Sequence, residues 1–182
     1  MKRMSQYVGL IGLWLLLLCG TGCALFDSWS TPVYCLSLHR EVRRNAFAPD
    51  TALIQPVYDV MGRNEHIVSR FPIVDSSCFG AAELVRGDNG KWGLRMKLDR
   101  KGMGLWRQAT GEYGNQTMVI LLDGYFCGTM MIPPYDESGF LTLPPIWSEM
   151  EARRIASHVV SNYKKTNKIG RASCRERVSL CV

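Results

Sequence analysis

The 182-residue chain is 47% hydrophobic and 21% charged, which excludes a disordered or low-complexity protein. A chain of about 150 residues buries roughly 70% of its unfolded surface, so neither disulfides nor a structural metal is needed for folding. Of the formal charge of +6, Lys2, Arg3 and three arginines against one glutamate beyond residue 168 supply most; the remaining 17 basic and 15 acidic residues leave about +2, no electrostatic footprint for nucleic acid.

In chain order, Lys2 and Arg3 precede an apolar run from Val8 to Cys19 and the small residues Gly20-Thr21-Gly22 ahead of Cys23. The run has the length of a signal-peptide core and is short for a membrane span. This arrangement resembles the lipobox of bacterial lipoproteins. The resemblance implies a signal peptide over 1–22, with Cys23 as the site of lipid attachment and a short tether over 23–32. Gly20 stands where that family usually has leucine; the other reading is an uncleaved anchor with a free Cys23 thiol. Ala24, in place of the aspartate that resembles an inner-membrane retention signal, favours the outer membrane where a cell has two. The expected partner at this end is the lipid membrane through acylated Cys23, and the expected location is the cell envelope, facing the periplasm. At the far end, 169–178 resembles the translation of a common sequencing adapter, so 168–182 is expected to lie outside the folded domain, after the last helix has ended. Of seven cysteines, Cys35, Cys78 and Cys127 then remain for the domain, all in apolar surroundings, and are expected as thiols without a disulfide.

Residues 33–70 read as N-terminal strands. "VYCLSLH" (33–39) alternates, with Tyr34, Leu36 and Leu38 on one face and Cys35, Ser37 and His39 on the other. "REVRRNAFAPDTA" is a charged, turn-rich loop. "LIQPVYDVMGRNEHIVSRF" predicts a hairpin about Gly62-Arg63-Asn64-Glu65, with Pro56 placing its first strand at an edge. "DSSCFGAAELVRG" (75–87) is expected to start as a short helix and end as a strand. Asp88-Asn89-Gly90 turns into the strand "KWGLRMKLD" (91–99). Asp99 caps a helix over 100–112 with Met103, Trp106, Arg107 and Thr110 along one side; Gly102 and Gly104 weaken it by about 1 kcal/mol each. "TMVILL" (117–122), apolar on both faces, is a central strand, turned by Asp123-Gly124 into 125–132. Strand 139–143 is expected to stop at Pro144-Pro145. Ser148 and Glu151 form a capping box for a last helix whose apolar face is Ile155, Ala156, Val159, Val160 and Tyr163. The order predicts an α+β fold, a largely antiparallel sheet with two main helices packed on one face.

The pieces "LRMKLDRKGMGLWRQAT", "GNQTMVILLDGYFCGTMMIPP" and "SEMEARRIASHV" resemble the periplasmic head subdomain of SecD, a subunit of the bacterial protein-export machinery, over about 71–163. The resemblance implies a domain, 71–167, that engages polypeptide, here without the membrane-spanning bundles of that family. It carries no catalytic residues.

Other patterns have plainer accounts. His39, His66 and His158 lack metal-ligand spacing, so no metal or cofactor is expected. Arg86-Gly87-Asp88 overlaps a turn, and Asp123-Gly124 is a hairpin turn. Asn115-Gln116-Thr117 is a glycosylation sequon without meaning in bacteria. Met118, Met130, Met131 and Cys127 lie on apolar strands and are expected as core. "IPPYDESGF" (132–140), followed by Pro144-Pro145-Ile146-Trp147, offers exposed aromatics: Tyr135, Phe140 and Trp147 are the candidate partner-binding residues, for an unfolded polypeptide or an envelope protein. Polypeptide could also add to an open sheet edge. The expectation is thus a non-enzymatic lipoprotein that binds polypeptide or an envelope partner, accessory to export or envelope assembly. The alternatives are an envelope hydrolase or thiol enzyme, and a structural lipoprotein without ligand.

Overall fold

Strand β1 (Leu36–Arg40) turns Leu36 and Leu38 into the core, as its alternation predicts. The computed structural model describes residues 31–42 and 53–179, with side chains as far as Lys168. Cys23, most of the tether and the 43–52 part of the charged loop lie outside them. The strand begins three residues later than the pattern suggests. Tyr34 has φ +56°, and its amide and that of Cys35 donate to the Asp123 carboxylate at 2.9 and 2.7 Å.

The predicted hairpin is present as β2 (Ile54–Tyr58) and β3 (Glu65–Ser69). Asp59 organises its turn: Oδ1 accepts from the Arg63 amide and Oδ2 from Asn64 Nδ2, each at 2.8 Å, and Gly62 takes φ +67°. The expected short helix at 75 is absent. After β4 (Val74–Asp75), Asp75 accepts from the Ser77 amide and hydroxyl, and the Cys78 amide donates to the Asp75 carbonyl. Such local bonds compete with helix formation, and the chain passes directly into β5 (Phe79–Arg86).

β6 (Trp92–Leu98) follows, burying Leu94, Met96 and Leu98. Helix α1 (Arg100–Tyr113) is capped by Asp99, which accepts from the Gly102 amide at 2.7 Å. Its buried stripe is Gly102, Trp106, Ala109 and Thr110; Met103 and Arg107 are exposed, a face rotated from the expected one. Gly102 explains the rotation. A Cβ there would stand 2.8 Å from Cys78 Cβ, so this glycine lets the helix meet the β4–β5 turn.

β7 (Thr117–Leu122) is central as expected, and β8 (Tyr125–Met131) returns from the Asp123-Gly124 turn. β9 (Phe140–Trp147) runs through both prolines that were expected to stop it. It is an edge strand, and between Leu94↔Leu143 and Trp92↔Trp147 its register against β6 shifts. Prolines are tolerated at an edge and in such a bulge. Gly93 accommodates the bulge, since a Cβ would lie 2.5 Å from the Leu143 carbonyl.

Helix α2 (Glu149–Ser179) opens with the capping box: the Ser148 amide donates to Glu151 Oε2 at 2.9 Å. Ala152, Ile155, Val159 and Asn162 are buried, whereas Val160 is 44% exposed and lies off the face assigned to it. The helix does not end before 168; its backbone continues to Ser179.

The strands form three antiparallel ladders: β4-β1-β7-β8, β5-β6-β9 and the β2–β3 hairpin. The fold class is α+β, with helices packed against strands. One core joins Leu36, Leu38, Leu94, Met96, Trp106, Ile120, Leu141 and Ile155. A second, smaller cluster holds Val68 of the hairpin against Val119 and Leu121, so β7 is buried on both faces.

Candidate partner-binding groove

The 133–139 loop is fastened to α1 by its polar atoms. Trp106, 1% exposed, donates its indole N–H to Asp136 Oδ2 at 3.0 Å. The Asp136 amide donates to Thr110 Oγ1 at 3.1 Å, and Asp136 Oδ1 accepts from the Ser138 amide at 2.8 Å. Burial pushes the Asp136 carboxyl up; the Ser138 amide, the Trp106 indole and the Ser138 hydroxyl outweigh it, and the group sits below the usual carboxylate range. The loop's start is close-packed as well, since a Cβ on Gly114 would stand 3.3 Å from Pro134 Cα.

This bracing fixes one wall of a groove of about 540 Å³ between the loop, β8 and β9, lined by Met130, Met131, Pro133, Phe140 and Thr142. Arg95 reaches it from β6, its guanidinium 4.3 Å from the Phe140 ring centre, a cation–π stack. Met131 is 62% exposed, so the methionines do not share one fate. Met118 is core, Met130 packs against it, and Met131 falls on the outward phase of its strand.

The three aromatics named from the sequence separate here. Tyr135, 64% exposed at φ +42°, stands on the loop and donates its hydroxyl to Glu137 Oε1 at 2.6 Å. Phe140 is half-buried in the groove wall. Trp147 is 6% exposed and belongs to the core, leaving little surface for an incoming partner. Sequence reasoning did not find Trp106, Asp136 or Arg95. Trp106 and Asp136 lie thirty residues apart, and no local pattern announces their bond.

The other candidate chemistries are dispersed. Among the described residues no group of three or more His, Cys, Asp or Glu could hold a metal ion. His39 is buried, its Nδ1 2.8 Å from the Ser69 carbonyl and its Nε2 3.0 Å from Ser37 Oγ. His66 pairs with Glu41 at 2.8 Å and stacks on Phe126. His158 packs against Tyr34. Cys35, Cys78 and Cys127 are free thiols, and burial pushes each above its ordinary value. In Arg86-Gly87-Asp88 the glycine serves packing, since a Cβ there would lie 2.5 Å from Pro145.

Fold and groove together define an α+β domain of antiparallel ladders backed by helices, with a braced, mainly apolar surface groove. Neither a protein-family model nor a curated protein matches the sequence. Solved structures do match. One, of a membrane component SecDF that enhances protein export, has TM-score 0.52 at 14% identity, covering 71% of this chain and 63% of that one. Another, of SecDF in a Super-membrane-facing form, has the same score and identity, covering 75% of this chain and 20% of its own. The chain therefore spans less than two thirds of the SecDF chains it matches. What is shared at this identity is the fold, and the SecD-like expectation holds at that level. Among the described residues no helix is long and apolar enough to cross a membrane.

Proposed function

We propose that this protein is a non-enzymatic module of the bacterial cell envelope that binds polypeptide at the Tyr135–Phe140 groove, as an accessory to protein export or envelope assembly. The observation that carries the reading is a SecDF-like fold whose groove is mainly apolar and held in shape by the Trp106–Asp136 bond. In this reading Cys23 is acylated, the membrane is the partner at that end, and the domain faces the periplasm. The rival thiol enzyme needs a low-pKa cysteine, and burial moves all three domain cysteines the other way.

Photo-crosslinking in cells, with probes at Tyr135 and Phe140, tests the groove. Many heterogeneous adducts with exported chains are expected. One discrete adduct would name a dedicated envelope partner, and no adduct at either position would overturn polypeptide binding and favour a structural lipoprotein. Replacing Cys23→Ser is expected to release the chain from the membrane fraction, read by fractionation and by loss of the acyl mass. Retention of Cys23→Ser in that fraction would overturn the lipid anchor.

A further inference from the structure

Two sheet edges meet at the groove. β8 is the last strand of the four-stranded ladder and β9 the last of the three-stranded one. They run antiparallel. Gly128 touches Ile146, where a Cβ would lie 3.1 Å from Ile146 Cδ1, while Met131 shares the groove with Phe140 and Thr142. The strands thus part from contact at one end to an opening at the other.

The end of each ladder sets which residues face that opening. The Ile132 amide donates to the Gln116 carbonyl at 2.9 Å, in the β7–β8 register. Hydrogen-bonded pairs alternate in an antiparallel ladder, so Met130 bonds inward and Met131 turns its main-chain N–H and C=O outward. On the other side the Leu98 amide donates to the Gly139 carbonyl at 2.9 Å, in the β6–β9 register. Leu141 and Leu143 therefore bond β6, and Thr142 turns outward. Phe140 also points outward, but the Ser138 hydroxyl takes up both its amide and its carbonyl, each at 3.2 Å. Neither edge carries a charged residue: β8 reads YFCGTMM and β9 reads FLTLPPIW. Exposed edges are ordinarily blunted by charges, prolines or bulges, and the prolines of β9 protect only its second half.

We propose that polypeptide in this groove binds as an extended strand inserted between Met131 and Thr142, joining the two ladders into one sheet. This rests on the polypeptide-binding reading above and specifies its geometry. Because the two edges are antiparallel, the inserted segment lies parallel to one and antiparallel to the other. It is uncharged, like the edges it pairs with. It is about four residues long, the reach of Phe140–Leu143 at roughly 3.3 Å per residue. Alternate side chains meet Trp106 and Met130 on one side, and Arg95 and Phe140 on the other.

The test compares an unstructured, uncharged Thr/Val-rich decapeptide with the same peptide N-methylated at alternate amides, by fluorescence anisotropy. Thr142→Pro and Met131→Pro each remove an outward N–H and leave the inward ladders intact, as proline does at strand edges. The expected result is tenfold or greater loss of affinity in each proline variant at unchanged circular dichroism, and no binding of the methylated peptide by the wild type. Equal binding of the two peptides, or wild-type affinity in Thr142→Pro, would overturn strand insertion while polypeptide binding stood. A wild type that binds neither the peptide nor a reduced, alkylated unfolded protein would overturn both. Should the proline variants unfold, the two peptides on the wild-type chain decide alone.

Discussion

Removing the Asp136 carboxylate would strand the buried Trp106 indole N–H, while the exposed Ser138 amide turns to water. An unsatisfied buried donor costs about 1–3 kcal/mol, so Asp136→Ala is expected to lose about 2 kcal/mol in chemical denaturation, and Asp136→Asn, which keeps an acceptor, less. The folded carboxyl lies below the usual range. Its contribution is therefore complete above the unfolded value near 3.9 and is lost as pH falls through the folded one. Thermal melts between pH 5 and 2 should be flatter in Asp136→Asn than in the wild type. His39 works in the opposite chemical sense. Burial is the first cause lowering its pKa; the bond to the Ser69 carbonyl and the charge of Asp75 raise it. The Ser69 carbonyl can only accept, so Nδ1 carries the proton of a neutral ring. As pH falls below about 6.5 the unfolded chain takes up a proton that the folded ring resists, and stability declines. His39→Asn should flatten denaturation profiles between pH 7.5 and 5.5; an unchanged slope would count against this account.

At the level of elements, the two glycines of α1 separate. A Cβ at Gly104 meets nothing within 4 Å, whereas at Gly102 it meets Cys78. Gly104→Ala should gain about 1 kcal/mol, a rise of roughly 3–5 °C in melting temperature; Gly102→Ala should melt lower than the wild type. The sequence showed only that both glycines are costly in a helix, because the reason for one of them lies in a turn twenty-four residues earlier. Elements governed by their own residues were legible: the alternating strand 92–98, the Asp99 cap and the Ser148–Glu151 box. Elements governed by neighbours were not. Pro144-Pro145 reads as a stop until β9 is known to be an edge, and Trp147 reads as exposed until the strand is known to continue through it. The candidate site was half visible for the same reason. Its loop could be found from composition, but its opposite wall comes from β6 and β8.

For the molecule as a whole, the pairing of β1 with β7 and of β6 with β9 separates the strands into distinct ladders. Those pairings join residues far apart in sequence, so local periodicity carries the α+β class and not the division. The far end of α2 bears on the same scale. Asn162 donates to the Val33 carbonyl at 2.7 Å, Tyr163 reaches Asp99 at 3.1 Å, and Asn167 reaches the Ser77 carbonyl at 3.0 Å. A chain ending at Lys168 keeps all of these. It is expected to match the full chain within about 0.5 kcal/mol in denaturant unfolding, and a larger loss would give the following segment a part in the fold. The opening of the domain has a mechanical meaning too. The chain arrives at Val33 to Cys35, where Asn162, the Asp123 carboxylate and the His158 ring all take hold. Tension applied ahead of that point passes into the β7–β8 turn and α2 before it reaches β1. Beyond the clamp, β1 is flanked on both sides and registered with β7 from Leu36 to Arg40, so a lengthwise pull loads those bonds together, in shear, and does not peel them one at a time.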